Sequence, residues 1–297
     1  IVMPQNWLFL SSYKKQRESL LKRVQWNQLA RLGPGAFETI SGEVVQAVLL
    51  TQTRALPTED FQLRGVDVSQ LSSAHEKAEG LRSGPQSGVN QARQLVNPDA
   101  RVILGGSAEG TILNVYATSH LGICSGDYNR FGRTFWEVET RKDVWAYQQS
   151  TVNRSQLFSG MSQVFFWQQG SGDFLTYLRE RLGENQIGSW LRGGDAWGRQ
   201  GIAITSTGKL PVSLYHGNLF DNNISVVVPS DSGDLPALWS YMSSPQFHGD
   251  VRAFNQQLKI TDQSFVEVTI NLDTWREAAA KSFPNGLPKP YSDDPTQ

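Results

Sequence analysis

Along Val44-Val45-Gln46-Ala47-Val48-Leu49-Leu50-Thr51, apolar side chains fall at odd and even positions alike. Successive side chains of a strand point to opposite faces, so this strand is apolar on both faces and reads as central in its sheet. Toward the N-terminus, Leu29–Leu32 is a second short strand, broken sharply by Gly33-Pro34-Gly35. Before it, Tyr13, Arg17, Leu20, Leu21 and Val24 recur at helical spacing behind Ser11 or Ser12 as N-cap. Lys14, Lys15, Lys22 and Arg23 occupy the other face of that helix. Trp7-Leu8-Phe9-Leu10 reads as a further buried strand. Strands alternating with helix suggest the end of an α/β sheet, and one helix cannot cover both its faces, so its missing partners are expected upstream.

Downstream, residues 54–100 are more polar and hold a helix-like Ala74–Leu81 and a Ser-Gly-Pro-Gln-Ser-Gly break at 83–88. From about Arg101 the texture changes to Gly-rich turns between short aromatic strands such as Phe131–Val138, Val164–Gln168 and Ser225–Val228. Gly201–Thr205 and Leu210–Tyr215 flank Ser206-Thr207-Gly208-Lys209, a hairpin signal. Leu235–Met242, with Asp234 or Ser232 as cap, and Val251–Gln257 read as helices. No repeat and no low-complexity tract is present. The expected division is 1–60 as the end of an α/β domain, 61–100 as connector, 101–270 as a mixed α/β domain, and 271–297 as the start of a further segment.

The 297 residues carry 27 basic and 28 acidic side chains, a net charge of −1, with 39% hydrophobic and 19% charged residues. That composition belongs to a folded globular chain and leaves nucleic acid to local basic patches rather than a chain-wide field. Arg outnumbers Lys 18 to 9, and there are nine Trp; Arg suits bidentate recognition of phosphates and bases, while aromatics stack on exposed bases or fill a β-core. The single Cys124 excludes a disulfide scaffold and suits a reducing, cytoplasmic setting. No run is apolar for long enough to span a membrane. Ile1–Leu10, interrupted by Pro4, Gln5 and Asn6, is not a signal peptide. Neither Ile1 nor Pro295-Thr296-Gln297 marks a natural boundary, so the chain reads as a piece of something longer.

There is no Gly-x-Gly-x-x-Gly and no phosphate-binding P-loop. Gly105-Gly106-Ser107-Ala108-Glu109 approaches a nucleophile elbow but lacks its closing Gly. The histidines at 75, 120, 216 and 248 show no zinc-binding spacing, so no metal site is expected.

Against this background one resemblance is specific. Pro4–Leu10, followed by Leu32-Gly33-Pro34-Gly35-Ala36-Phe37-Glu38-Thr39-Ile40-Ser41-Gly42-Glu43-Val44-Val45, resembles the later part of the catalytic domain of N6-adenine DNA methyltransferases. The likeness is to the large enzymes of restriction-modification and phage-exclusion systems, the Eco57I-like and PglX-like groups. Gly126-Asp127-Tyr128-Asn129-Arg130-Phe131 resembles the motif that opens their target-recognition region. Ala196–Ala203 and Leu219-Phe220-Asp221-Asn222-Asn223 resemble segments within it, and Asn285–Pro295 resembles the stretch that follows.

The resemblance implies the last strands of a Rossmann-like methyltransferase sheet, then a mixed α/β target-recognition domain. It implies S-adenosylmethionine as cofactor of the parent protein, double-stranded DNA as partner, and an upstream part of the same polypeptide that completes the enzyme. The family's cofactor loop and its Asn/Asp-Pro-Pro-aromatic tetrapeptide do not occur here; Asn97-Pro98-Asp99-Ala100 lacks the second Pro and the aromatic. No catalytic residue is therefore expected in this chain. Phe37 matches the family's aromatic that stacks on the flipped adenine, the alternative being a plug at a domain interface. Lys14 and Lys15 either touch phosphates or form a solvated helix face. Base-reading candidates are Asn129, Arg130, Arg133, Arg192, Arg199, Gln200 and Asn223, since Arg pairs with guanine and Asn or Gln with adenine. Two rival readings are a non-catalytic DNA-specificity module serving a separate methyltransferase, and a carbohydrate-binding module suggested by the Trp count.

Overall fold

The computed structural model describes residues 1–37, 46–104, 110–139, 144–255, 257–260 and 262–289. The chain forms two compact units, Ile1–Ser107 with Arg252–Asn255, and Ala108–Val251 with Gln256–Gln297. Both are mixed α/β structures built on small sheets.

The first unit runs β1 (Val2–Pro4), α1 (Lys14–Arg23), β2 (Gln25–Gly33), β3 (Ala47–Thr53), β4 (Gln62–Asp67), α2 (Ala74–Ser83) and β5 (Ser87–Asn90). The sheet order is β1-β3-β2-β4-β5. β3 is antiparallel to both β1 and β2, so these two run parallel to each other, joined through α1, with β3 in the gap between them. β4 is parallel to β2, and β5 is antiparallel to β4. The doubly apolar pattern of β3 has a cause on each face. Val48 and Leu50 join Trp7, Leu21, Trp26 and Leu29 in one core, while Ala47 joins Ala30, Leu32, Val66 and Val68 in another.

The sequence expectation fails at two places here. Trp7–Leu10 is not a strand: Gln5–Leu8 is a 3-10 turn, and the edge strand is Val2–Pro4, just before it. The apolar content of 7–10 reflects burial of Trp7, Leu8 and Phe9, with Trp7 and Trp26 rings 5.2 Å apart. Residues 61–100, polar enough to suggest a connector, supply β4 and β5 to the same sheet, with α2 between them in sequence. Their polarity arises because α2 and the outer strand bury few side chains, and Ser73 with Glu76 forms a capping box at the start of α2.

Arg17 explains how a non-strand segment is tolerated at the core. Its guanidinium, fully buried, donates to the carbonyls of Trp7 (2.6 Å), Leu10 (2.8 Å), Asp99 (2.7 Å) and Ala100 (3.3 Å). Asp99 and Ala100 both sit in left-handed backbone, at φ 55° and 52°, a conformation unfavourable for residues with a Cβ. Burial lowers the Arg17 pKa to about 10, so the group stays charged at neutral pH. Arg31, also buried, donates to the Ala253 carbonyl at 2.8 Å and lies 3.2 Å from Asp67.

The second unit contains β6 (Thr111–Ile112), β7 (Ala117–Leu121), α3 (Tyr128–Phe131), β8 (Gly132–Thr134), β9 (Trp145–Gln149), β10 (Gln163–Phe166), α4 (Asp173–Leu182), β11 (Gly201–Thr205), β12 (Val212–Tyr215), β13 (Leu219–Phe220) and β14 (Ile224–Pro229). These are followed by α5 (Leu235–Met242), α6 (Pro245–Phe254, whose end is counted with the first unit), α7 (Asp262–Val266), β15 (Thr269–Ile270) and α8 (Leu272–Ser282). One sheet is ordered β12-β11-β14-β7 and the other β13-β9-β10-β8, with a two-stranded β15-β6 pair beside them. β11 and β12 form the expected hairpin, with Ile202 opposite Leu214. Phe131–Val138 is not one strand: Phe131 ends α3, β8 takes three residues, and Phe135–Glu137 is a 3-10 turn. Asp234 precedes α5 as expected but does not cap it with its side chain; the carboxylate takes two hydrogen bonds from Arg276 instead, at 2.7 and 3.1 Å. The helix expected at Val251–Gln257 is α6, which begins six residues earlier at Pro245. Among the described residues no helix is long and apolar enough to cross a membrane.

Removing Arg17 leaves several buried carbonyls without a donor, each costing roughly 1–3 kcal/mol. Arg17→Ala is expected to lower the unfolding free energy by about 3 kcal/mol or more, whereas the same change at the exposed Lys15 should stay within about 0.5 kcal/mol. Urea titration of both variants checks this; equal midpoints would show that Arg17 ties nothing together.

Candidate nucleic-acid interface

In the first unit the residues of interest stand on the loop after β2 and on α1. Gly33 has φ +66°, and a Cβ there would lie 2.7 Å from the Ser69 Cβ; Gly35, at φ +72°, would meet the Ser72 carbonyl at 2.8 Å. Only glycine allows both the left-handed turn and this close approach. The Lys77 ammonium, buried, donates to the carbonyls of Leu32 (2.7 Å) and Val68 (3.0 Å), which fixes the two segments together. Phe37 follows that anchored turn and is 39% exposed. The rest of the quoted segment, 38–45, lies outside the described residues, as do 105–109 and 290–297.

On α1, Lys14 and Lys15 are exposed, and Lys14 lies 3.6 Å from Asp99. Of the basic residues on and near α1, Arg17 and Arg31 are buried and donate to backbone carbonyls, which leaves Lys14, Lys15, Lys22 and Arg23 on the surface.

In the second unit, the Gly126–Phe131 segment divides cleanly between packing and surface. Gly126 has φ +65°, and a Cβ there would lie 1.9 Å from the Trp190 ring. Asp127 caps α3, accepting from the Arg130 N–H. Phe131 is buried against Phe174 (5.1 Å) and Tyr177 (5.2 Å). Asn129 and Arg130 remain on the surface, with the Arg130 guanidinium 5.0 Å from the Phe131 ring centre and 5.4 Å from that of Tyr177. Arg133 donates to the carbonyls of Asn129 (2.5 Å) and Gly132 (2.6 Å), so it braces the end of α3.

Asn129, Arg130 and Arg133 are thus brought together on the α3–β8 turn. Arg199 and Asn223 are not. Arg199 donates to the Pro229 carbonyl at one end of β14, and Asn223 precedes the other end, a separation of roughly 17–20 Å at strand rise. Gln200 is exposed beside Arg199. Arg192 is half-buried, and its Nε has no hydrogen-bond partner among the described residues.

Asn223 belongs to a structural knot centred on Asp221. The Asp221 carboxylate accepts from the Ser150 hydroxyl (2.5 Å) and the Asn223 N–H (2.8 Å), and the Lys259 ammonium donates to the Asn222 carbonyl (2.8 Å). Burial pushes the Asp221 carboxyl above its ordinary value, with these hydrogen bonds opposing.

Sequence reading missed Phe135 and Trp136. Their rings meet edge to face at 4.9 Å, yet they are 46% and 66% exposed. Adjacent aromatics in an aromatic-rich stretch read as core strand; the local signal of the 3-10 turn that turns them outward is the Thr134-x-x-Glu137 capping-box pattern. Among the described residues no group of three or more His, Cys, Asp or Glu side chains is placed to hold a metal ion.

No family model and no curated protein matches this sequence. Among solved structures, the chain is similar to the Type IIL restriction-modification enzyme MmeI in complex with DNA, with a TM-score of 0.51 and 14% identity. The match covers 99% of this chain and 42% of that one. At that identity the likeness is one of fold: both units follow the course of a segment of a restriction-modification enzyme, and the chain spans less than half of its length. Weaker superpositions cover 94% of the chain on a nuclease-deletion mutant of the Type ISP enzyme LlaGI with a DNA substrate mimic (TM-score 0.43, 10% identity, 34% of that chain) and 96% on the type IIG endonuclease BpuSI (0.38, 13%, 42%).

The raised Asp221 carboxyl predicts a pH signature. Between its unfolded value and its higher folded value the native state holds the extra proton, so its contribution to stability falls as pH rises through that window. Asp221→Asn should flatten this slope at little cost, because an amide oxygen still accepts from Asn223. Asp221→Ala should cost about 2 kcal/mol by stranding the Ser150 and Asn223 donors. Urea unfolding at several pH values between 4 and 7 separates the three proteins.

Proposed function

We propose that this chain is the part of a site-specific DNA adenine-N6 methyltransferase of a restriction-modification system that borders the target-base pocket and reads the DNA sequence. The observation that carries the reading is the superposition of 99% of the chain on a restriction-modification enzyme solved with DNA. The finer assignment to adenine methylation rests on the resemblance of 4–10, 32–45 and 126–131 to that family.

The first unit supports the role on physical grounds. β1 and β2 run parallel, so their carboxyl ends share one edge of the sheet, the edge at which open α/β sheets place their ligands. Phe37 follows the carboxyl end of β2 on a turn that Lys77 and the Ser69–Ser72 backbone hold still. A flipped adenine loses its stacking at a cost of roughly a few kcal/mol, and an aromatic face at that edge restores about 1–3 kcal/mol of it. In this reading Phe37 supplies the face.

S-adenosylmethionine, which the resemblance implies for the parent enzyme, would supply the methyl group. The described glycine turn of the first unit does not fit it. The Gly33-Pro34-Gly35 turn, which follows a strand, is filled by Ser69 and Ser72 and leaves no cradle. The cofactor and the group that holds the adenine amine are assigned to the upstream part of the polypeptide.

The second unit is assigned the reading of sequence, with Asn129, Arg130, Arg199, Gln200, Arg192 and Asn223 as candidates for base edges. Arg133 is spent on two carbonyls and Asn223 on the Asp221 turn, so exposed Arg130, Arg199 and Gln200 are the stronger readers.

Two outcomes test the reading. Phosphate contacts carry no base identity, so Lys14→Ala with Lys15→Ala should weaken binding to all duplexes alike and reduce the salt dependence. Arg130→Ala or Arg199→Ala, at a true reader, should instead cost about 1–3 kcal/mol at one base pair and relax preference there. Binding selections on randomised duplexes distinguish these, and an unchanged preference in both Arg variants would remove them as readers. In the intact polypeptide, Phe37→Ala should slow methylation and diminish the fluorescence rise of 2-aminopurine at the target while leaving duplex affinity near wild type. An unchanged rise and rate would leave Phe37 without a stacking role.

A further inference from the structure

Phe135 and Trp136 stand out among the exposed apolar residues of the second unit. Trp136 is 66% exposed and Phe135 46%, and each ring gives up water-excluding burial that an aromatic side chain ordinarily gains. The turn that presents them is held at both ends. Phe135 N–H donates to the Ser162 carbonyl at 2.9 Å, attaching the turn to the start of β10. Thr134 and Glu137 close a capping box, the Thr134 N–H donating to the Glu137 carboxylate at 2.7 Å. The edge-to-face contact at 4.9 Å then fixes the two rings against each other. The pair is thus presented on a braced turn, and ordering it on binding costs little entropy.

The surroundings select the class of ligand. Arg130 and Arg133 lie on the same α3–β8 turn, and neither makes an ion pair among the described residues: Arg130 lies over two rings, and Arg133 donates to two carbonyls. The Glu137 carboxylate accepts from the Thr134 N–H and is held below its ordinary value by that bond, with the Arg133 charge contributing, and Glu139 follows the turn. Guanidinium groups carried by the same short segment as a protruding aromatic pair supply the two kinds of contact, cation and π-face, that a base and its backbone offer.

We propose that Trp136, supported edge-on by Phe135, is a nucleobase-stacking contact, and that its ligand is the exposed face of a base in DNA whose stack is opened. The inference rests on the assignment of this unit to DNA reading. An opened stack has two sources, an unpaired base within a duplex or a single strand, and both present the same π-face.

The test measures affinity of the 297-residue chain for three labelled DNAs of one sequence: fully paired, paired with one bulged base, and single-stranded. Wild type is expected to prefer one of the two opened forms over the paired duplex, and the preferred form identifies the source. Trp136→Ala should abolish that preference, weakening the opened form about tenfold while leaving its salt slope unchanged, because no phosphate contact is lost. Trp136→Phe should keep most of it. The ring is largely in solvent, so the melting temperature should not move, and the variants remain comparable. Equal affinities of wild type and Trp136→Ala for all three DNAs overturn the proposal. So does a fall in oligomer mass in the variant, which would make the pair a contact between copies. If wild type binds none of the DNAs, the assignment of this unit to DNA reading fails first, and the stacking proposal falls with it.

Discussion

A buried positive charge holds the first unit together. Arg17 comes from the apolar stripe of α1, and its guanidinium gathers carbonyls from the 3-10 turn before the helix and from the left-handed pair Asp99–Ala100 some eighty residues later. These carbonyls belong to short 3-10 turns and loop backbone, which lack the continuous hydrogen-bond ladder of an α-helix or a sheet. The planar fork of an arginine serves several acceptors at once, which a lysine's three donors on a flexible stem do not match. With that tie in place, Trp7, Leu8 and Phe9 cover one face of the sheet without forming a strand, and β3 is enclosed on both faces.

The second unit is held together differently. Its two four-stranded sheets are held by close packing, dense in aromatics around Phe131, Phe165 and Phe174. Buried polar knots such as Asp221 with Ser150 fix the turns between strands. The Gly126–Phe131 segment shows how one short motif divides its labour. Gly126 lets the backbone lie on Trp190, Asp127 caps the helix, Phe131 enters the core, and Tyr128, Asn129 and Arg130 face solvent. Such a motif identifies a scaffold first; its reading side chains are those that packing leaves over.

That distinction governs how the candidate residues sort. Arginine in this chain serves three ends: buried ties at Arg17 and Arg31, braces at Arg133 and Arg276, and surface guanidinium at Arg130 and Arg199. Arg130 is held over aromatic rings, which orients the group while leaving its in-plane donors available, a preorganisation suited to recognition.

The sequence alone determined the mixed α/β class, the two-faced burial of β3, α1, α2, the β11–β12 hairpin and the special backbone at Gly33, because period and turn chemistry are local properties. The exposed positions of Lys14, Lys15, Phe37, Arg130 and Arg199 were also candidates in the sequence. The tertiary structure alone decided that Trp7–Leu10 is a turn, that 61–100 completes a sheet, and that Arg17 is buried. It also decided that Phe135 and Trp136 point outward. Each of these depends on a partner far along the chain or on a neighbouring strand: Asp99 and Ala100 for Arg17, β2 for β4, the Ser162 carbonyl for Phe135. A run of apolar residues records only that burial is favourable; which groups do the burying is settled by contacts that no local pattern encodes.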